Sequence, residues 1–552
     1  MLFYPLSFHK VRELLSLCSY TQKEAFLQVL PYEHPQNASQ LWLLPQLPRH
    51  EKDETYSAAY QLLDHTIEPK PLIHLQNDLK QIYFPPPNYL YPYNEELKSF
   101  AQHRRLLLDE LPFSIKEIYD HVKNGFLTYQ HGIIQKGKGY ECQRCGNSDS
   151  SLLATFSCYR CKGSCVYCRS CLMMGRISSC TPLLTWNDVE NVNETSHELG
   201  WEGTLSPYQE KASEKLCDTI EDFFAGKNTS SFFLIWAVCG AGKTEMLFHG
   251  IALALQKNLR VLIATPRTDV VLELEPRIKS AFPKTKVIAL YGGAEDRFTN
   301  GELVISTTHQ LLRFHKAFDL VIIDEVDAFP FTVDKKLRYA VSQAKKERSL
   351  TVFVSATPDE KMKWEAKTKA ILSVKVARRY HKHPLPVPKF QWAGQWDKTL
   401  QKRRIPSTLF RWLLQQMDRE KQVFLFVPSV KVMEQVVVIL RDELDSVVEG
   451  VHAGDEDRRE KVMEFRKGNT RILVTTTILE RGVTVKGVQV AVLGAEDRIF
   501  TESALVQIAG RVGRSPEEPT GDVVFFHYGK TKEMVQAVKH VKMMNDLGER
   551  EV

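Results

Sequence analysis

Polar and apolar residues alternate along the second half of this chain in blocks, not singly. Short runs rich in Val, Ile, Leu and Phe recur: SFFLIWAV from Ser231, RVLIATP from Arg260, KVIALYG from Lys286, LVISTT from Leu303, DLVIIDE from Asp319 and LTVFVSATP from Leu350. These runs are too continuous for strands with one wet face. They predict strands covered on both sides, and each is followed by a stretch that can be helix, the pattern of a parallel sheet in an α/β domain. A second set, QVFLFVPS from Gln422, RILVTTT from Arg471, VQVAVLG from Val488 and DVVFFHY from Asp522, repeats it. Between the sets lies HKHPLPVPKF (His381–Phe390), whose prolines predict a hinge.

The fold class expected is therefore α/β, with parallel-sheet domains over 196–382 and 388–552. The polar stretch Asn187–Glu202 reads as a linker into the first of them. Residues 1–130 are mixed. Their one distinctive segment is YFPPPNYLYPY (Tyr83–Tyr93), whose prolines exclude helix.

Composition narrows the class. Hydrophobic residues are 43% and charged residues 25%, as in a soluble globular protein. The N-terminus lacks a basic leader region, and the longest apolar run, Phe232–Cys239, is strand-sized, so a cytosolic protein without a transmembrane segment is expected. Net charge is +6. From residue 136 to 180, Lys136, Lys138, Arg144, Arg160, Lys162, Arg169 and Arg176 face only Glu141 and Asp149, so nearly all of the excess sits there. That distribution suits nucleic acid, although a solvated surface carries such a bias equally well.

The same stretch concentrates the thiols. Seven of the 11 cysteines lie between Cys142 and Cys171, and Cys180 follows. In a reducing compartment clustered cysteines bind metal more often than they form disulfides. The module is expected over 131–185, with Zn²⁺ as its ion. Cys142 and Cys145 form one Cys-x2-Cys knuckle. Spacing allows either Cys158 and Cys161 or Cys168 and Cys171 as the partner pair and slightly favours the nearer, Cys158 and Cys161.

The strand SFFLIWAV runs into AVCGAGKTE (Ala237–Glu245), and an apolar stretch follows. Gly240, Ala241 and Gly242 let backbone N–H groups curl around phosphates, Lys243 reaches the outer phosphates, and Thr244 ligates Mg²⁺, with Glu245 completing the loop. Further on, DLVIIDEVDAF ends a strand in Asp324 and Glu325, a Mg²⁺ partner and a group to orient the attacking water. Gln209, upstream of the first strand, is a candidate reader of an adenine edge. In the second half, QIAGRVGRS (Gln507–Ser515) places Arg511 and Arg514 three apart, as on one face of a helix, where they could stabilise charge on ATP across a cleft.

AVCGAGKTE, ATPRTDV, STTHQLL, IDEVDAF, SATP, TTTILERGVT and QIAGRVGR follow one another in the order of superfamily 2 helicase motifs, over about 201–530. The chain thus resembles enzymes with two RecA-like domains and ATP in the cleft between them. By position, the resemblance implies single-stranded DNA contacts at Pro266, Arg267, Thr307, Thr308, Pro428, Ser429, Thr476 and Thr477. It also implies coupling of the two sites through Ser355, Ala356 and Thr357. DEVDAFP, ILERGVT, TTHQLLRFHKAFDL, RRYHKHPL and the cysteines ahead of the core are similar to the late competence F operon ATPase (ComFA) family. That resemblance implies an ATP-driven motor on single-stranded DNA during import, peripheral at the cytoplasmic face of a membrane DNA-uptake channel. Its implied partners are other competence proteins, including a phosphoribosyltransferase-like operon neighbour. VYCRSCLMMGR matches the family's second knuckle, which implies Cys142, Cys145, Cys168 and Cys171 as zinc ligands. Cys158, Cys161, Cys165 and Cys180 then remain as a second candidate site. No inserted loop suggests a strand-separating pin, so translocation is expected ahead of unwinding. A primosomal-type replication or repair helicase and a nucleotide-gated scaffold are the alternative readings.

Overall fold

The computed structural model describes 84–158, 161, 163–187, 197–227, 230–294, 298–444, 447–480 and 485–550, with the backbone of two strands further upstream, Leu27–His34 and Asn37–Pro45. Most of the expected linker, 188–196, and part of TTTILERGVT, 481–484, lie outside the described residues, as does most of 1–83.

The first domain is a seven-stranded sheet, ordered Val287–Leu290, Leu303–Thr307, Val261–Thr265, Phe318–Asp324, Lys345–Ser355, Phe232–Ala237 and Leu372–Val376. Every neighbouring pair is parallel. All five residues of Val261–Thr265 and of Leu303–Thr307 are buried, because helices such as Pro207–Phe224 and Thr268–Ala281 cover one face while helix Lys335–Ala344 and the cysteine-bearing unit cover the other. The second domain repeats the plan in six parallel strands, ordered Lys389–Trp392, Val523–His527, Gln489–Leu493, Val423–Phe426, Ile472–Thr475 and Val448–Val451.

Two expectations need correction here. The proline segment is not wholly linker: its last residues begin Lys389–Trp392, an edge strand paired with Val523–His527. Arg511 and Arg514 are not on a helix, because the helix Glu502–Ala509 stops before them. They sit in the turn that follows, where Gly513 has φ +68°, a backbone geometry open to glycine and costly for other residues.

Ahead of the sheets, helices Glu95–Ala101 and Ile115–Lys123 pack with short antiparallel hairpins that carry the cysteines. Leu97, Ile118 and Phe126 share a core with Trp186 and four of the cysteines. The boundary drawn at residue 130 thus falls inside one packed unit. A second core runs from Cys142, Cys168 and Ile177 directly into Leu262, Val304 and Val321 of the first sheet. This unit is therefore fused to the first domain by shared apolar burial, which is non-directional and scales with area.

Candidate functional site

Parallel strands end on one side of a sheet, and ligands of such folds bind there. Phe232–Ala237, Lys345–Ser355 and Phe318–Asp324 are consecutive in the sheet, so three loops meet at one edge. They carry 238–244, Ser355–Thr357 and Asp324–Asp327. In the first loop Gly240 and Gly242 have φ of +80° and +69°. Thr244 is buried and Lys243 half-buried. Glu245 is ion-paired to Arg277. Gln209 is held at both ends: its Oε1 accepts from the Ser206 N–H at 2.8 Å, and its Nε2 donates to the Ala241 carbonyl at 2.9 Å. It thereby ties the N-terminus of helix Pro207–Phe224 to the phosphate loop.

Asp324 accepts from the backbone N–H of Glu325 at 2.9 Å, and Glu325 adopts φ +56°. Asp327, two residues on, holds three hydroxyls. Ser355 Oγ donates to Oδ1 at 2.6 Å, while Thr357 Oγ1 at 2.6 Å and Ser503 Oγ at 2.8 Å donate to Oδ2. Ser503 belongs to the second domain, so one carboxylate joins both halves at the rim of the site.

The second domain closes over this edge. Gly510 approaches so closely that a Cβ there would lie 2.4 Å from the Cβ of Cys239. The Cys239 thiol donates to Gln507 Oε1 at 3.1 Å. Arg511 is 1% exposed, and its Nε donates to the Glu480 carbonyl at 2.9 Å. Burial pushes the Arg511 guanidinium well below its ordinary range; neighbouring Arg514 adds to the shift, and Glu325 of the first domain opposes it. Arg514 lies half-buried beside it. Buried Arg379, in the linker, donates to the carbonyls of Val512 (2.8 Å) and Gly513, and so fixes the arginine turn.

The eight residues expected to touch DNA all lie at or just after strand ends. Pro266, Thr307 and Thr308 are buried in this arrangement. Arg267 donates to the Ile478 carbonyl, in the short turn Thr477–Leu479 that contains Thr477, so the two domains meet at this point also. Pro428 and Thr476 are half-buried and Ser429 is exposed. Asp327, Ser503, Arg379 and Gly510 went unread in the sequence. Asp327 had a signal, its place in IDEVDAF; the other three depend on contacts across the cleft.

The cysteines sort into two groups. Cys142, Cys145, Cys168 and Cys171 place their four Sγ atoms within 4.8 Å of one another, with Cys142 to Cys171 at 3.8 Å and Cys145 to Cys168 at 3.7 Å. A zinc ion about 2.3 Å from four sulfurs implies a tetrahedron edge of about 3.8 Å, so this set fits zinc. Asn147 Nδ2 donates to Cys168 Sγ at 3.8 Å, the outer support such ligands need. The structure thus pairs the Cys142 knuckle with Cys168 and Cys171, not with Cys158 and Cys161. Cys158, Cys161, Cys165 and Cys180 converge separately, also within 4.8 Å. The ten described cysteines are not disulfide-bonded.

Two parallel-sheet RecA-like domains, with a phosphate loop on one and an arginine turn on the other, define a helicase-like ATPase. Residues 202–360 match the res subunit of type III restriction enzymes, and 405–516 match the helicase conserved C-terminal domain. Residues 88–185 match the competence protein ComFA N-terminal domain. The chain is 48% identical to competence protein ComFA of Bacillus subtilis, over 82% of its own length and 96% of that relative, and 39% identical to its counterpart in Streptococcus pneumoniae, over 74% and 91%. It belongs to the ComFA family. Among solved structures, it is similar to Mss116p bound to ssRNA and AMP-PNP, with 18% identity, a TM-score of 0.46, and coverage of 62% of this chain and 72% of that one.

Proposed function

We propose that this protein is a single-stranded-DNA-dependent ATPase that moves along the strand during DNA uptake in natural transformation. The observation that carries the reading is the Asp327 junction, where Ser355 and Thr357 of one domain and Ser503 of the other share a carboxylate beside the phosphate loop. A change at the phosphates alters the loops that bear these hydroxyls, and Ser503 carries that change into the second domain. Lys243 binds the outer phosphates, and Glu325 orients the attacking water. Arg511 and Arg514 reach the developing charge from the other side. Mg²⁺, held by the Thr244 hydroxyl and the Asp324 carboxylate, would neutralise phosphate charge; both are the hard oxygen donors that ion takes.

Pro266, Arg267, Thr307, Thr308, Pro428, Ser429, Thr476 and Thr477 form the strand path, and the burial of Pro266, Thr307 and Thr308 and the cross-domain bond of Arg267 mean that its first-domain half opens when the cleft moves. Contacts of this kind go to phosphate and sugar and are indifferent to sequence. The tetrad Cys142, Cys145, Cys168 and Cys171 holds a structural zinc ion. The competence role rests on the names of the ComFA relatives. Other competence proteins, a phosphoribosyltransferase-like one among them, and the membrane DNA-uptake channel are the proposed partners, at the cytoplasmic face of the membrane. No described helix is long and apolar enough to cross a bilayer.

The test is the ATP hydrolysis rate with and without single-stranded DNA. Wild type should be stimulated, and Lys243→Ala should be silent in both conditions. A wild-type rate indifferent to DNA defeats the motor reading.

A further inference from the structure

One hairpin supplies cysteines to both thiol groups, and its register shows why they cannot serve a single ion. Leu153–Cys158 pairs antiparallel with Gly163–Cys168, placing Phe156 opposite Cys165 and Leu153 opposite Cys168. Side chains alternate between the faces of a strand, so Cys165 and Cys168, three residues apart, point to opposite sides. The surrounding cores divide the same way. Cys158, Cys165 and Phe156 join the core of Leu97, Phe113 and Trp186. Leu153, Val166 and Cys168 join the core that continues into the ATPase domain.

From this we infer that Cys158, Cys161, Cys165 and Cys180 hold a second zinc ion, on the opposite face of the hairpin from the first. The four sulfurs lie within 4.8 Å of one another, and Cys158 to Cys180 is 3.8 Å. That is again about the edge of a tetrahedral four-thiolate zinc site. Each residue is at most 6% exposed. Free buried cysteines behave as small hydrophobes and have no reason to converge sulfur to sulfur. Ser178, itself 1% exposed, places its Oγ 3.3 Å from Cys180 Sγ and 2.6 Å from Thr181 Oγ1, a hydroxyl positioned to support a thiolate. The guanidinium of Arg176 lies 4.7 Å from the Phe156 ring centre on this same face.

A two-stranded hairpin is marginal by itself, and an ion on each side gives it two anchors with different duties. The first ion joins it to the motor. The second joins it to helices Glu95–Ala101 and Ile115–Lys123, which precede the cysteines. The inference is independent of the motor reading.

Elemental analysis of the full-length protein, purified without added zinc or chelator, tests it. Wild type should carry two zinc ions per chain. Cys158→Ser and Cys142→Ser should each retain one, and the double variant none. Cys180→His, which preserves a ligand, should retain two. Trypsin should open the region around residues 84–130 in Cys158→Ser sooner than in Cys142→Ser. One zinc ion per wild-type chain overturns the assignment however the variants fold. So does a Cys158→Ser protein whose metal content equals that of wild type.

Discussion

At the scale of single residues, the site turns on contacts that tolerate almost no added volume. Gly510 is the clearest. A methyl group there would meet the Cys239 side chain at 2.4 and 2.6 Å, and Cys239 is fixed in the phosphate loop. Gly510→Ala should therefore fold normally yet hold the arginine turn about an ångström away. Misplacement on that scale costs on the order of 10²-fold in kcat. Adding Cys239→Gly should restore most of the loss, and failure to restore it would place the defect elsewhere. Ser503 is the complementary case. Its hydroxyl donates to Asp327 at 2.8 Å, and a hydrogen bond to a charged group contributes about 2 kcal/mol. Ser503→Ala should keep basal hydrolysis and lose most of the stimulation by single-stranded DNA, read as the ratio of the two rates. An unchanged ratio would remove Ser503 from the coupling path.

Among elements, what the sequence made legible and what it hid follow burial. The central strands are covered on both faces and announce themselves as unbroken apolar runs, as in DLVIIDE. In the two large sheets, the strands that the sequence pattern does not announce, Leu372–Val376, Lys389–Trp392 and Val448–Val451, are all edges. An edge strand is half solvated and kept short and polar, so KFQW and VEGV carry little apolar signal. The phosphate loop and the acidic strand end were legible because their chemistry is local. The partition of the cysteines needed pairing register as well as spacing. Docking of the cysteine unit was not legible at all, since it depends on a core shared across the junction and on Glu110. That carboxylate accepts from Arg144 Nη2 at 2.6 Å and from Arg313 Nε at 2.8 Å, bridging the first knuckle to the ATPase domain. Burial alone would raise its pKa, but the two guanidiniums, together with the Leu107 N–H that it also accepts from, hold it below the ordinary carboxylate range. With the folded value below the unfolded one, the stabilisation is complete above the unfolded pKa, about 4.3 for Glu. It is lost as pH falls through the folded value. Glu110→Gln leaves the fully buried Arg144 side chain without its counter-charge, a loss of about 3 kcal/mol. The variant should lower the first thermal transition at neutral pH and differ little from wild type in acid. An equal deficit at both pH values would rule out a charge-based role.

For the whole molecule, the question is what makes two domains act as one. Apolar contact alone would hold them without direction. The linker supplies the direction. Arg379 is 1% exposed and donates to the carbonyls of Val512 and Gly513, while the next residue, Tyr380, donates its N–H to the Gly240 carbonyl at 3.1 Å. His381 Nε2 also lies 3.1 Å from the Gly513 carbonyl. The chain leaving the first sheet thus touches the phosphate loop and the arginine turn within three residues. Farther along, the C-terminal helix Lys532–Arg550 returns to the first domain: Arg378 Nε donates to the Gly548 carbonyl at 2.6 Å, and His540 packs edge-on against Trp236. Displacement of one loop is therefore passed to the other without crossing solvent. Burial holds Arg379 at a pKa of about 10, so it stays charged at neutral pH. Arg379→Ala removes both carbonyl bonds and frees the turn bearing Arg511, while Lys243 and Thr244 are untouched. Nucleotide affinity should stay within about threefold, and kcat should fall on the order of tenfold. DNA should no longer raise the rate, because the arginine turn would not follow the phosphate loop. If affinity falls in step with kcat, Arg379 shapes the phosphate loop itself; if neither changes, the arginine turn is held by its own glycines.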